Sequence, residues 1–107
     1  MTADEKGAII SDVTGVKKDI VYKVQEVLKD KDNIGIFMCG SGIGANMVAN
    51  RYKGIRAVCA YDYTTAYLAR KDEDANVLTL GARINSFRSM IKIIKVFLTS
   101  EFEGGRH

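Results

Sequence analysis

The sequence predicts an α/β fold, a short parallel sheet with helices on both faces. Three observations predict it. Short apolar runs of strand length alternate with segments of helical periodicity. The runs end at glycine or at a helix-capping residue, as strand-to-helix turns do. No proline interrupts the helical segments.

The elements follow in order. Gly7-Ala8-Ile9-Ile10 is a short strand candidate. Val16, Ile20, Val24, Val27 and Leu28 share one helical face, which predicts an amphipathic helix from about Gly15 to Lys29. Lys31-Asp32-Asn33 is a turn, and Ile34 to Met38 is a buried strand. A glycine-rich loop and a helix to about Tyr52 come next, stopped by Lys53-Gly54. Ile55 to Tyr61 is another strand. Asp62 can cap a helix from about Tyr63 to Lys71, and Asp72-Glu73-Asp74 is an acidic turn. Asn76 to Leu80 is the third clear strand, closed by Gly81. The last helix is expected over about Ile84 to Thr99, with Ile84, Phe87, Ile91, Ile94 and Leu98 on one stripe that forms a core or dimer face. Glu101 to His107 is a tail with a Gly104-Gly105 hinge.

The reading is thus a three-layer, Rossmann-like domain over residues 1–107, with 100–107 as its tail. In such sheets the ligand crevice lies at the carboxyl ends of the strands, so Cys39, Asp62 and Gly81 share one rim. Three strands make a thin sheet with unpaired edges, which predicts self-association.

Composition excludes several classes. Sixteen Lys and Arg against thirteen Asp and Glu give a net charge of +3, interleaved along the chain. That argues against nucleic acid and suits a small anionic substrate. No apolar run approaches the roughly 20 residues of a membrane span. The polar start Met1-Thr2-Ala3-Asp4-Glu5-Lys6 is not a secretory signal, so a soluble cytoplasmic protein is expected. Cys39 and Cys59 have no CxxC spacing, and His107 is the single histidine. No metal site and no Ser-His-Asp triad is expected.

The most informative stretch is Cys39-Gly40-Ser41-Gly42-Ile43-Gly44. It lies between a strand and a helix. Such a turn aims backbone N–H groups at an anion, and the helix start adds partial positive charge. A thiol in that field favours its thiolate. One segment therefore offers an anion cradle and a nucleophile or base.

This loop resembles ribose-5-phosphate isomerase B when read with Ala49-Asn50, Lys53-Gly54-Ile55-Arg56-Ala57, Leu68-Ala69-Arg70, Asp74-Ala75-Asn76-Val77-Leu78, Gly81-Ala82-Arg83 and Phe102-Glu103-Gly104-Gly105-Arg106-His107. That family includes the galactose-6-phosphate isomerase subunits. The register is unbroken over roughly residues 16–107, while residues 1–14 match little. The resemblance implies aldose–ketose isomerisation of a phosphorylated sugar, with neither metal nor organic cofactor. It implies that Cys39 moves the proton from carbon 2 through a cis-enediolate. It assigns oxyanion stabilisation to the N–H groups of Gly40, Ser41, Gly42 and Gly44 and to the Ser41 hydroxyl. Arg83 and Arg106 take the phosphate, for which the guanidinium fork is suited. The resemblance also implies a site shared between the two subunits of a dimer.

Two family features have no counterpart here. The family opens on a strand carrying Gly-Ser-Asp-His-Ala-Gly; in this chain the first strand-helix-strand unit is expected to be absent or reduced to Gly7–Ile10. Asp72 stands where the family has a ring-opening histidine and is the candidate for that role; otherwise it belongs to a solvated turn. Two alternatives stay open beside the isomerase. One is an inactive or partner-dependent paralogue, such as one subunit of a hetero-oligomeric galactose-6-phosphate isomerase. The other is a phosphocysteine carrier of the sugar phosphotransferase type, which has a similar Cys-Gly-Ser-Gly loop nearer its N-terminus. Cys59 is expected in the core, and Tyr61, Tyr63 and Tyr67 as packing and rim residues.

Overall fold

The structure, a computed structural model, describes residues 8–12, 24–30 and 32–104. Strand β1 is Ala8–Asp12, and residues 24–28 form the helical segment α1. Then come β2 (Ile34–Cys39), α2 (Ile43–Ala49), β3 (Ala57–Cys59), α3 (Tyr63–Lys71), β4 (Val77–Gly81) and α4 (Phe87–Thr99). The expected helix start near Gly15 lies outside the described residues.

All strand pairs are parallel, in the order β1-β2-β4-β3. Three clear strands were expected; the sheet has four. The first runs to Asp12, two residues past Ile10, and pairs with β2 from Ala8↔Ile34 to Asp12↔Met38. The chain steps past the β4 position to make β3, then returns to insert β4 beside β2. Right-handed crossovers in opposite directions put their helices on opposite faces. The packing follows that rule. Ala45 and Ala49 of α2 join Val24, Val27, Phe37, Ile55 and Val77 in one buried cluster. Ala66 and Ala69 of α3 and Met90, Ile93 and Phe97 of α4 join Ile34, Ile36, Leu78 and Leu80 in the other. Strand alternation does the sorting: Ile36 and Leu78 face one layer, Phe37 and Val77 the other. The result is the expected three layers.

Close approach explains one glycine beneath α1. A Cβ on Gly35 would lie 2.8 Å from Val27 Cγ2, so the helix sits directly on the strand.

Three further elements differ by two residues or more from the sequence reading. Strand β3 is only three residues, against Ile55 to Tyr61 expected. Helix α2 stops at Ala49 because the amides of Arg51 and Tyr52 reach back only three residues, to Val48 and Ala49. Helix α4 begins at Phe87, not Ile84. The amides of Ile84 and Asn85 both bond the Gly81 carbonyl at 3.0 Å, which makes a turn, and Ser86 then caps the helix by accepting from Ser89 N–H at 3.1 Å. The buried face of α4 therefore runs through Met90, Ile93 and Phe97. Of the expected stripe, Leu98 is buried and Ile91 and Ile94 are half-buried, whereas Ile84 and Phe87 are 57% and 75% exposed.

Asn50 closes part of the β3 edge. Its Nδ2 donates to the Ala57 carbonyl at 2.9 Å, and Ala57 N–H donates to its Oδ1 at 2.8 Å. A side-chain amide thus replaces a neighbouring strand at this residue. No helix among the described residues is long and apolar enough to cross a membrane.

Candidate active site

Neighbouring strands β2 and β4 send their following helices to opposite faces, α2 to one and α4 to the other. Such a switch point opens a crevice at the strand ends. Cys39 and Gly81 are register partners at that place. The candidate site therefore sits where the topology makes room for one.

The loop that follows Cys39 is held by its carbonyls. Ala82 N–H donates to Cys39 O at 2.8 Å and Arg83 N–H to Gly40 O at 3.0 Å. Tyr61 Oη donates to Ser41 O at 2.6 Å, with the Cys59 thiol a longer donor at 3.7 Å. Thr79 Oγ1 donates to Gly42 O at 2.8 Å. Four consecutive carbonyls are thus bonded to β3, β4 and the turns that follow them. In a trans peptide the N–H points opposite to the C=O. Pinning the carbonyls turns the loop's N–H groups the other way. Gly42 N–H donates to Cys39 Sγ at 3.1 Å, and Ile43 N–H to Ser41 Oγ at 3.1 Å.

Two glycines are required by this geometry. Gly42 has φ +80°, the left-handed region, and a Cβ there would meet the Leu80 carbonyl carbon at 2.9 Å. A Cβ on Gly81 would lie 2.6 Å from Ser41 O. The space beside Gly44 is open instead, with nothing within 4 Å of a Cβ built there.

The predicted residues fall as follows. Cys39, Gly40, Ser41, Gly42 and Gly44 form one loop. The half-buried Cys39 thiol is free. Ser41 Oγ accepts from Ile43 N–H, which leaves its single O–H proton to donate outward. Gly42 N–H serves the Cys39 sulfur, so it is not free to bind a substrate oxygen as expected. Arg83 is brought to the loop: a Cβ on Gly40 would lie 3.3 Å from its Nε. An exposed guanidinium beside Gly40 gives the rim a cation for an anionic group. Arg106 lies outside the described residues. Asp72 is not brought to Cys39. Helix α3 starts at the rim with Asp62, which accepts from Thr65 N–H at 2.7 Å. Its nine residues carry Asp72, the C-cap, roughly 13 Å down the sheet.

Sequence reasoning missed Thr79, Asn85 and the role of Cys59. Thr79 is fully buried in an otherwise apolar strand, and that polar exception was a usable signal. Asn85 Nδ2 donates to the Tyr61 carbonyl at 2.8 Å and so ties the turn after β4 to the one after β3. Cys59, expected in the core, is half-buried against the glycine loop, because β3 ends there. Tyr61 lies on the rim as expected. Its pKa stands above the usual 10.0, chiefly from loss of water around the phenol, then from its hydrogen bond with Cys59 and the charges of Cys59 and Cys39. The phenol therefore remains a donor at neutral pH.

The profile of the Ribose/Galactose Isomerase family matches residues 10–107. The chain belongs to this family. A probable ribose-5-phosphate isomerase B of Mycoplasma pneumoniae is 46% identical over 83 residues, which cover 78% of this chain and 55% of that protein. The galactose-6-phosphate isomerase subunit LacA of Streptococcus equi subsp. zooepidemicus is 36% identical over 107 residues, covering 96% of this chain and 76% of LacA. Among solved structures, ribose-5-phosphate isomerase B of Mycoplasma genitalium with bound ribulose-5-phosphate superposes with a TM-score of 0.81 at 41% identity, over 84% of this chain and 60% of that one. The chain thus spans a little over half the length of the ribose-5-phosphate isomerase B relatives it matches. The resemblance to the isomerases and the α/β fold both hold.

Proposed function

We propose that this protein isomerises a phosphorylated sugar between its aldose and ketose forms, of the ribose 5-phosphate and ribulose 5-phosphate kind, with Cys39 as the base. The carrying observation is the Cys39 thiol at the switch point, receiving Gly42 N–H at 3.1 Å on a loop against which Arg83 packs. The thiolate takes the proton from carbon 2 of the open-chain aldose. Charge moves onto oxygen 1, the proton of oxygen 2 passes to oxygen 1, and the thiol returns its proton to carbon 1. The outward Ser41 O–H and the N–H groups turned to that side stabilise the cis-enediolate. Arg83, joined by Arg106, holds the phosphate. The similarity to an isomerase bound to ribulose-5-phosphate supports this substrate class. No cofactor enters the scheme. A cytoplasmic setting suits two free thiols.

A dimer or higher oligomer fits the same reading. Ile43 and Met47 of α2, Ile84 of the turn after β4 and Phe87 at the start of α4 are more than half exposed, and all but Met47 stand at the carboxyl rim. A second copy, or a different subunit, would cover them. Asp72 could then serve only the site of another subunit. This favours a second reading, a partner-dependent subunit of the galactose-6-phosphate isomerase type, supported by the similarity to LacA over nearly the whole chain.

The test is turnover of ribose 5-phosphate to ribulose 5-phosphate, with galactose 6-phosphate in parallel. Cys39→Ala is expected to lose at least about 10²-fold in kcat. Full turnover in Cys39→Ala would remove the base. A folded protein inert on both sugars alone, but active with a second subunit, would select the partner-dependent reading.

A further inference from the structure

We propose that Tyr61 is a positioning residue that sets the reactivity of the Cys39 thiol through one peptide group. Ser41 O and Gly42 N–H belong to the same rigid amide plane. Tyr61 Oη holds the oxygen end at 2.6 Å, and Cys39 Sγ receives the hydrogen end at 3.1 Å. The phenol therefore fixes the plane in the orientation that presents its N–H to sulfur. It also polarises the amide: a hydrogen bond at the carbonyl makes the N–H a better donor. A better donor favours the thiolate over the thiol.

Tyr61 is itself braced. Its carbonyl accepts from Asn85 Nδ2 at 2.8 Å, and Asn85 stands in the turn that Gly81 O closes. The path runs from the β4–α4 turn through Asn85 and Tyr61 to the Ser41–Gly42 plane and then to sulfur. Among the described residues, Tyr61 and Cys59 approach this loop from the end of β3, and Arg83 approaches Gly40 from the turn after β4. Among the described residues, Tyr61 and Cys59 donate to Ser41 O, and the phenol does so at the far shorter distance.

The inference rests on the isomerase reading only for its effect on turnover; the thiol can be read directly. The experiment measures iodoacetamide alkylation at Cys39, followed by peptide mass, across about pH 6 to 9. It also measures amide exchange of Gly42. Tyr61→Phe keeps the ring and removes the hydroxyl. It is expected to slow alkylation near neutral pH about three- to tenfold, move the profile to higher pH, and speed Gly42 exchange by a similar factor. Asn85→Ala is expected to change both in the same direction by less, and carries the test if Tyr61→Phe loses its cooperative melt. Tyr63→Phe, on the exposed stack with Tyr67, should change neither. Where the parent turns over ribose 5-phosphate, Tyr61→Phe should lower kcat with KM held. A parent without turnover defeats the isomerase reading and leaves the thiol measurement intact. Unchanged alkylation and exchange in a folded Tyr61→Phe would overturn the proposal.

Discussion

Replacing Gly81 by alanine should be costly although its backbone angles are ordinary. The added Cβ would stand 2.6 Å from Ser41 O, 2.8 Å from Ser41 C and 3.0 Å from Ile84 Cγ1. The closest ordinary carbon–oxygen approach is about 3.3 Å, so the carbonyl must retreat by roughly 0.7 Å. That carbonyl is not at liberty to move, since Tyr61 Oη holds it at 2.6 Å. Overpacking of this kind costs about 1–3 kcal/mol, and a strained hydrogen bond adds about 1 kcal/mol. A total near 3 kcal/mol lowers the melting temperature of a domain this size by roughly 12–24 °C. The assay is urea and thermal unfolding of Gly81→Ala beside Gly44→Ala. Gly44 has open space around it and lies in the first turn of α2, so alanine there should be neutral or stabilising by up to about 1 kcal/mol. A Gly81→Ala protein as stable as the parent, or a Gly44→Ala protein that loses as much, would refute the geometry of the loop.

Two further outcomes follow from other parts of the fold. Asn50→Ala strands both backbone groups of Ala57 at the β3 edge and should destabilise by about 1–2 kcal/mol in urea unfolding, and Asn50→Asp should not rescue it, because a carboxylate cannot donate to the Ala57 carbonyl. Asp62 caps α3, and the Thr65 amide holds its pKa below 3.8, so its contribution is complete above that value and fades as pH falls through the lower folded value; Asp62→Ala should melt lower than the parent at about pH 6, with the gap closing below about pH 4.

The residues that the sequence exposes most clearly are those whose reason is local. Asn76 to Leu80 reads as a strand because its apolar residues stand together before Gly81, and Asp62 reads as a cap because the residue type suits it. The glycine loop was legible from its spacing alone. What was not legible depends on contacts between distant segments. The first strand acquires its full length only by pairing along β2, and short apolar runs carry little signal by themselves. The buried face of α4 was only partly legible, because Ile91, Ile93 and Ile94 offer two overlapping apolar faces and packing against α3 and the sheet decides which one is buried. Thr79 and Tyr61 meet the loop, and Asn85 meets Tyr61, across separations of 20 residues or more, which no local pattern reports. Asp72 was a candidate from alignment with a family position, and the length of α3 removes it from Cys39 within one chain.

The four bonded carbonyls after Cys39 tie chemistry to assembly. Their donors come from β3, β4 and the turns beyond them, all later in the chain than the loop they hold. A nascent or partly unfolded chain can contain the whole Cys-Gly-Ser-Gly segment and still lack the shape that directs its amides to sulfur. The Gly42 N–H contact with the Cys39 sulfur therefore exists only once β3 and β4 have docked, and it reports whether the sheet has closed.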